Sequence, residues 1–406
     1  MNIAEIFNRR KKLTKDLFYT ILASCVGNAV LQLIAYPLIA KQFGIDTVGD
    51  ILFFMSIIYI VPQAFGHSIL NARLLMRKDH ETTNGDYSML LAVSGLCSFV
   101  VCAAIGFIST KNILFSAFYG IFSVLYMLKT YGGIEYRLAL DFKGFFLYYL
   151  ISAIGYLAGL SLYFAGGSWL LIFVIGEGAS LFYVIAKGNI FKKAQKQLPP
   201  GMVGKTTAAF IWTALVRDCV MQFDRIVIMQ LMNAASVTQY HAISVIAKTM
   251  QLFVSPLCNL MMTYMTQKGW RLTGKIYSRI ALGCIGFGVI AYLLCIAVTP
   301  VFIRIFYPTV FDAVIQYNLL ANLGLIIGFI ASLFNVTLSS QGELKTFSAI
   351  QTIWGISYIV VAYLATSTYG LWGLVLATVA VNAVRLALSM LMSYLKVRQS
   401  FGTISE

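Results

Sequence analysis

The sequence predicts an all-α polytopic membrane protein of about twelve transmembrane helices in two six-helix lobes. Three observations predict it. Of the 406 residues, 59% are hydrophobic and only 11% charged, a composition that needs lipid as solvent. Apolar runs of roughly twenty residues recur from end to end, the length that crosses a hydrocarbon layer about 30 Å thick. Basic residues gather in alternate loops, as retention of positive charge on the cytoplasmic side requires.

The first span, about 17–40, runs into Lys41-Gln42; it is longer than a signal-peptide core and carries no small-residue cleavage pattern. Spans follow over about 47–69, 87–109, 113–132, 145–165 and 168–187, each set by apolar length and flanking charge. The stretch Lys187 to Lys205, with Pro199-Pro200, is the longest polar interruption. It reads as a cytoplasmic linker between a lobe at 1–186 and a lobe at 206–406. The second lobe holds spans over about 208–232, 237–262, 278–299, 314–340, 346–366 and 370–395.

Orientation follows from the Lys and Arg count. One side carries the arm Arg9, Arg10, Lys11, Lys12 and Lys15, then Arg73, Arg77 and Lys78, then Lys129, Arg137 and Lys143. The same side takes Lys187, Lys192, Lys193, Lys196 and Lys205, then Lys268, Arg271, Lys275 and Arg279, and finally Lys345, Lys396 and Arg398. The opposite loops hold only Lys41, Lys111 and Arg304. Both termini are therefore expected in the cytoplasm of a bacterial cell, with the protein in its inner membrane. An even span count in each half makes the halves parallel repeats. An offset of 189 residues lays Val48-Gly49-Asp50 over Val237-Thr238-Gln239.

Several function classes are excluded. The excess of 30 Lys plus Arg over 15 Asp plus Glu sits between spans and suits anionic lipid. No contiguous basic stretch suits nucleic acid. The cysteines Cys25, Cys97, Cys102, Cys219, Cys258, Cys284 and Cys295 fall inside apolar runs at spacings that match no metal or redox motif. They read as packing residues, and no metal or cofactor is expected.

Ionisable groups inside spans cost about 2.5 kcal/mol or more near the centre, so each needs a reason. They are Glu177 in span six, Arg217, Asp218, Asp224 and Arg225 in span seven, Lys248 in span eight and Arg385 in span twelve. The four on span seven share one helix face at about 100° per residue. Neighbours in sequence diverge on a helix, so Arg217 and Asp218 should find partners on other helices or in water. One reading is interhelical ion pairs that fix packing. The other is a wet cavity in which Arg217, Arg225, Lys248 and Arg385 attract an anionic substrate while Asp224, Asp218 and Glu177 cycle a proton or sodium ion. Pro37, Pro62 and Pro256 read as kinks. Tyr131, Tyr240, Trp270 and Trp372 read as interfacial anchors, and His67 and His241 as non-titrating. Gly95, Gly155, Gly159, Gly324 and Gly328 read as sites of close helix packing.

The chain resembles the polysaccharide-transporter branch of the multidrug/oligosaccharidyl-lipid/polysaccharide (MOP) exporter superfamily, specifically the Wzx-type O-antigen flippases. The resemblance rests on Tyr36-Pro37-Leu38, Phe43-Gly44 and Val48-Gly49 in the first half, and on Gln222-Phe223-Asp224-Arg225 with Val237 and Tyr240 in the second. Pro256, the run Val301 to Tyr307, and Tyr369-Gly370-Leu371-Trp372-Gly373-Leu374 continue it. It implies a MATE-like V-shaped pair of lobes that alternates access. The implied cargo is an oligosaccharide on undecaprenyl diphosphate, moved to the periplasmic leaflet by an ion gradient. A glycan polymerase and a chain-length regulator would be partners in lipopolysaccharide biosynthesis. Only Asp224-Arg225 matches a recurring family pattern, and the buried charges, four basic against three acidic, are nearly balanced. A MATE-like drug or cation antiporter would show fewer buried cations and more cavity carboxylates. A lipid-linked peptidoglycan-precursor flippase would carry extra helices. A membrane glycan polymerase, an enzyme, would carry a large periplasmic loop, whereas the longest outer loop here is about Pro300 to Ala313.

Overall fold

The computed structural model describes residues 15–402 except 17, 24, 78–79, 266–272 and 341–343; the side chains of a few further residues near 251–264, 338–348 and 396–402 are also left undescribed. Among the described residues the chain is helical, without strands. In order, α1 is Phe18–Phe43, α2 Ile45–Met76, α3 Asn84–Thr110, α4 Ile113–Gly132, α5 Phe142–Phe164 and α6 Leu170–Lys187. Then come α7 Pro200–Leu231, α8 Ala234–Met265, α9 Gly274–Phe306 and α10 Asn318–Ser340. The last helical run, Leu344–Gly402, breaks at Gly370, whose φ of 59° and ψ of −137° are non-helical. It is therefore two helices, α11 (344–369) and α12 (371–402).

Nine helical stretches among the described residues are long and apolar enough to cross a membrane, and the ninth, Ala349–Leu395, covers both α11 and α12. At 32 residues each, α7 and α8 are about 48 Å long and also suffice. Together these helices account for the twelve spans read from the sequence, in the same order.

Helix ends follow local chemistry. Thr83 and Asp86 form a capping box at the start of α3, Asn112 caps α4 and Asp141 caps α5. Within α1 the turn Val30–Ala35 widens to a π-helix just before Pro37. In α2 the helix breaks at Tyr59–Ile60 and restarts with Pro62 in the first turn of Val61–Met76, where the missing N–H costs nothing. The side chain of Pro256 lies outside the described residues, as do Lys268, Trp270, Arg271 and Arg9 to Lys12.

Several helices extend past the sequence expectation, α7 by starting at Pro200 and two others by taking in a basic residue at the C-terminal end. The span expected to stop near residue 299 continues through Pro300 to Phe306, which places Arg304 in the last helical turn, where a cation complements the terminal carbonyls. The second span runs on to Met76 and takes in Arg73.

The chain divides into two compact units: Met1–Ile39 with Asp50–Gln222, and Ala40–Gly49 with Phe223–Glu406. In the first, α5 lies along α6 and α3 along α4. Gly155 allows the tight approach of α5 to α6, because a Cβ there would sit 2.7 Å from Gly176 Cα. In the second, α10 is central, packed by α8, α9, α11 and α12, around a core that includes Phe329, Ile330, Leu333 and Phe334.

The α1–α2 corner, residues 40–49, is built into the second unit. Thr238 Oγ1 donates to the Ile45 carbonyl at 2.6 Å, and Gly49 lies against the Ala234 backbone so closely that a Cβ would overlap its carbonyl oxygen.

Candidate functional site

In the first unit, α4, α5 and α6 enclose a buried ion pair. Lys129 Nζ lies 2.7 Å from Glu177 Oε2, with both side chains almost fully buried. Glu177 Oε1 accepts from the Tyr156 hydroxyl. The Tyr148 hydroxyl donates to the Lys129 carbonyl at 2.7 Å, and the Lys129 ammonium sits 4.4 Å from the centroid of the Tyr149 ring. On α4, one turn from Lys129, Tyr126 donates to Gln63 of α2 at 3.0 Å. Lys129, counted among loop cations from the sequence, is an interior residue. Its place one turn from the span end suited a snorkelling side chain, but it turns inward to the acid on α6.

Arg73, also counted as a loop cation, is buried. It donates to the Tyr131 hydroxyl at 2.7 Å and to Asn84 Oδ1 at 2.9 Å, and its guanidinium lies 5.2 Å from the Tyr87 ring centroid. Tyr131 is accordingly fully buried and not an interfacial anchor. The same correction applies to Tyr240 in the second unit, which is buried with its ring facing Lys248 Nζ.

On α7, Arg217 and Asp218 pair with each other. Arg217 Nε is 2.8 Å from Asp218 Oδ1 and Nη2 is 3.2 Å from Oδ2. The sequence argument against this pair concerned the direction of the Cβ atoms; the long arginine side chain curls back over its neighbour. Asp218 is 5% exposed, whereas the Arg217 side chain is 60% exposed.

The second unit holds the remaining predicted charges. Lys248 of α8 pairs with Asp224 of α7. Asp224 also accepts from the Arg225 N–H at 2.8 Å through its other oxygen. The Arg225 guanidinium is different: the residue is 8% exposed, it has no ion pair among the described residues, and its Nε is buried without a hydrogen-bond partner.

Arg385 on α12, like Arg73, is a buried cation with no carboxylate partner among the described residues. It donates to Gln351 Oε1 at 3.0 Å and, at 3.4 Å, to Ser332 Oγ and the Gly328 carbonyl. It also stacks 4.0 Å from the Trp354 ring centroid, and its Nε has no partner. Trp354 in turn donates to Asn382 Oδ1 at 3.0 Å. Trp354, Tyr358 and Phe223 form a run of aromatic neighbours in the same unit.

The structure thus joins Asp224 to Lys248 and Arg217 to Asp218. It gives Glu177 a partner, Lys129, that was not among the candidates, and leaves Arg225 and Arg385 without acids among the described residues. Among the described residues no cluster of His, Cys, Asp and Glu could hold a metal ion, and the seven cysteines are free thiols.

A bundle of membrane-length helices with ionic groups buried inside each unit is the architecture of a multi-pass membrane protein. Its fold is similar to that of solved MOP superfamily transporters. The chain is similar to an inward-facing multidrug resistance MATE family transporter of that superfamily, with a TM-score of 0.74 and 12% identity over 94% of this chain and 98% of the other. It is similar to the lipid II flippase MurJ in an inward closed conformation, with a TM-score of 0.70 and 16% identity over 94% and 90%. A third likeness, with a TM-score of 0.63 and 11% identity over 96% of each chain, is to a MOP superfamily transporter from Pyrococcus furiosus described by the reverse polarity of its binding pocket. No protein-family profile and no curated protein sequence matches the chain.

Proposed function

We propose that the protein is a lipid-linked oligosaccharide flippase, moving O-antigen repeat units on undecaprenyl diphosphate across the bacterial inner membrane, with both termini in the cytoplasm. The observation that carries this reading is the Arg225 guanidinium, buried in the second unit with no ion pair among the described residues and with its Nε lacking a hydrogen-bond partner. A buried charge left uncompensated costs several kcal/mol, and a diphosphate offers anionic oxygens that accept bidentate hydrogen bonds from the planar guanidinium. Arg385 and Lys248 add positive charge to the same unit, where Asp224 is the one buried acid among the described residues. A cationic drug would be repelled by that balance.

The acids supply coupling. Lys248 can serve Asp224 or an incoming anion, so cargo at Lys248 competes with Asp224 and leaves that carboxylate to take up a proton. Glu177 and Asp218 are the corresponding acids of the first unit, each already held by a cation. The repeat units would pass to a glycan polymerase and chain-length regulator.

The alternative is a MATE-like drug or cation antiporter, favoured by the buried acids of the first unit and by the likeness to MATE transporters. Complementation separates the two. In a strain lacking the gene, surface polysaccharide should return with wild type and fail to return with Arg225→Gln at equal protein level, with lipid-linked units accumulating. Polysaccharide that never depended on the gene, together with drug sensitivity that does, would select the antiporter.

A further inference from the structure

The segment between α6 and α7 is fastened down along its length. Ile190 inserts into the apolar core of the first unit, and Phe191 lies edge-on to Tyr131 with centroids 6.0 Å apart. Asn84 Nδ2 donates to the carbonyls of Asn189 and Lys192 at 2.7 and 2.9 Å, and Thr83 Oγ1 donates to the Gln195 carbonyl at 2.6 Å. Asp86 Oδ1 accepts from the N–H groups of Gln197 and Leu198 at 2.6 and 2.9 Å. Glu135 Oε1 accepts from the Asn189 N–H at 3.1 Å. Gly85 lets the segment lie directly on α3, since a Cβ there would come within 2.8 Å of the Gln195 backbone.

Two consequences follow for Lys192, Lys193 and Lys196, all exposed. Their backbone is held in place, so they are displayed at fixed positions. The two acids that touch the segment, Asp86 and Glu135, are spent on backbone amides, and no carboxylate among the described residues pairs with the three lysines. They lie between the end of α6 at Lys187 and the start of α7 at Pro200, the depth of lipid headgroups if both helices cross.

We propose that this strap is a docking surface for the phosphodiester headgroups of anionic phospholipids. Lysines near a membrane surface gain about 1 kcal/mol each from anionic lipid, about fivefold in affinity per lysine, and a preorganised backbone removes part of the ordering cost. The site is separate from Arg225, Lys248 and Arg385, the cations given to the cargo, and its test uses no cargo, so its failure leaves the flippase reading standing.

The test is lipid binding by the purified full chain in neutral detergent, followed by native mass spectrometry and melting. Phosphatidylglycerol should bind and raise the melting temperature, while phosphatidylcholine and inorganic phosphate should not. The triple variant Lys192→Gln, Lys193→Gln, Lys196→Gln should bind phosphatidylglycerol roughly a hundredfold more weakly. Asn84→Ala, which keeps the lysines and loosens their backbone, should give a smaller loss. Undiminished phosphatidylglycerol binding by the triple variant, or equal binding of phosphatidylcholine, overturns the proposal. Equal stabilisation by inorganic phosphate reduces the strap to a nonspecific anion patch and overturns it as well.

Discussion

The two units bury charge differently. In the first, Lys129 faces Glu177, Arg217 faces Asp218, and the one buried guanidinium without an acid among the described residues, Arg73, is held by Tyr131, Asn84 and the Tyr87 ring. In the second, Lys248 and Asp224 pair, Arg385 is held by neutral groups, and Arg225 has no ion pair among the described residues and a buried Nε without a hydrogen-bond partner. A guanidinium held by neutral acceptors needs nothing further, whereas one with a bare Nε and neither an acid nor such a hold is completed by an anion.

The largest expected effect breaks this contrast directly. Arg225→Gln should abolish polysaccharide export while leaving membrane abundance unchanged, because removing an unpaired buried cation orphans no acid. Export at the wild-type level, read by surface polysaccharide against immunoblotted protein, would mean that the surplus charge in the second unit is not for cargo.

The first unit should show the reverse behaviour. Lys129→Met or Glu177→Gln alone should destabilise the protein by about 3–5 kcal/mol, since each leaves its partner buried and uncompensated. The double variant should recover much of that loss. Melting of the four proteins in detergent gives the cycle; two single losses that simply add would show that the charges do not interact.

A smaller effect is expected at Arg385. Trp354→Leu removes the ring face on which the guanidinium lies and the indole N–H that holds Asn382, worth about 1–2 kcal/mol together. Melting should fall modestly, and Trp354→Phe, which keeps a ring, should fall less. Equal losses in the two variants would assign the role to the indole hydrogen bond.

The fold was legible because a membrane imposes few solutions: apolar length fixes the spans. That Glu177, Asp224 and Arg225 are interior ionisable groups was legible too, since a charge inside an apolar run stands out. Pairing was not. Lys129 and Arg73 lie within a turn or two of span ends, where sequence alone cannot separate a cation that reaches water from one that folds inward. Whether it turns depends on Glu177, about fifty residues on, or on Tyr131 and Asn84, which no local pattern links to it. Tyr131 and Tyr240 were misread for the same reason, as an amphipathic ring near a span end serves an interface or a buried cation equally well.

Arg217 sharpens the comparison from its weakest point. It belongs to the first unit, yet it shares α7 with Arg225, and from the sequence the two arginines looked equivalent. The structure separates them by environment: the Arg217 side chain is 60% exposed and grips the adjacent Asp218, whereas Arg225 is buried and unpaired. Arg217→Gln leaves the buried Asp218 carboxylate without its cation, so melting should fall while export per molecule stays mostly intact. If it instead stops export as fully as Arg225→Gln at equal abundance, the cation that meets the cargo is the exposed Arg217, and burial without a partner is not the property that selects the site.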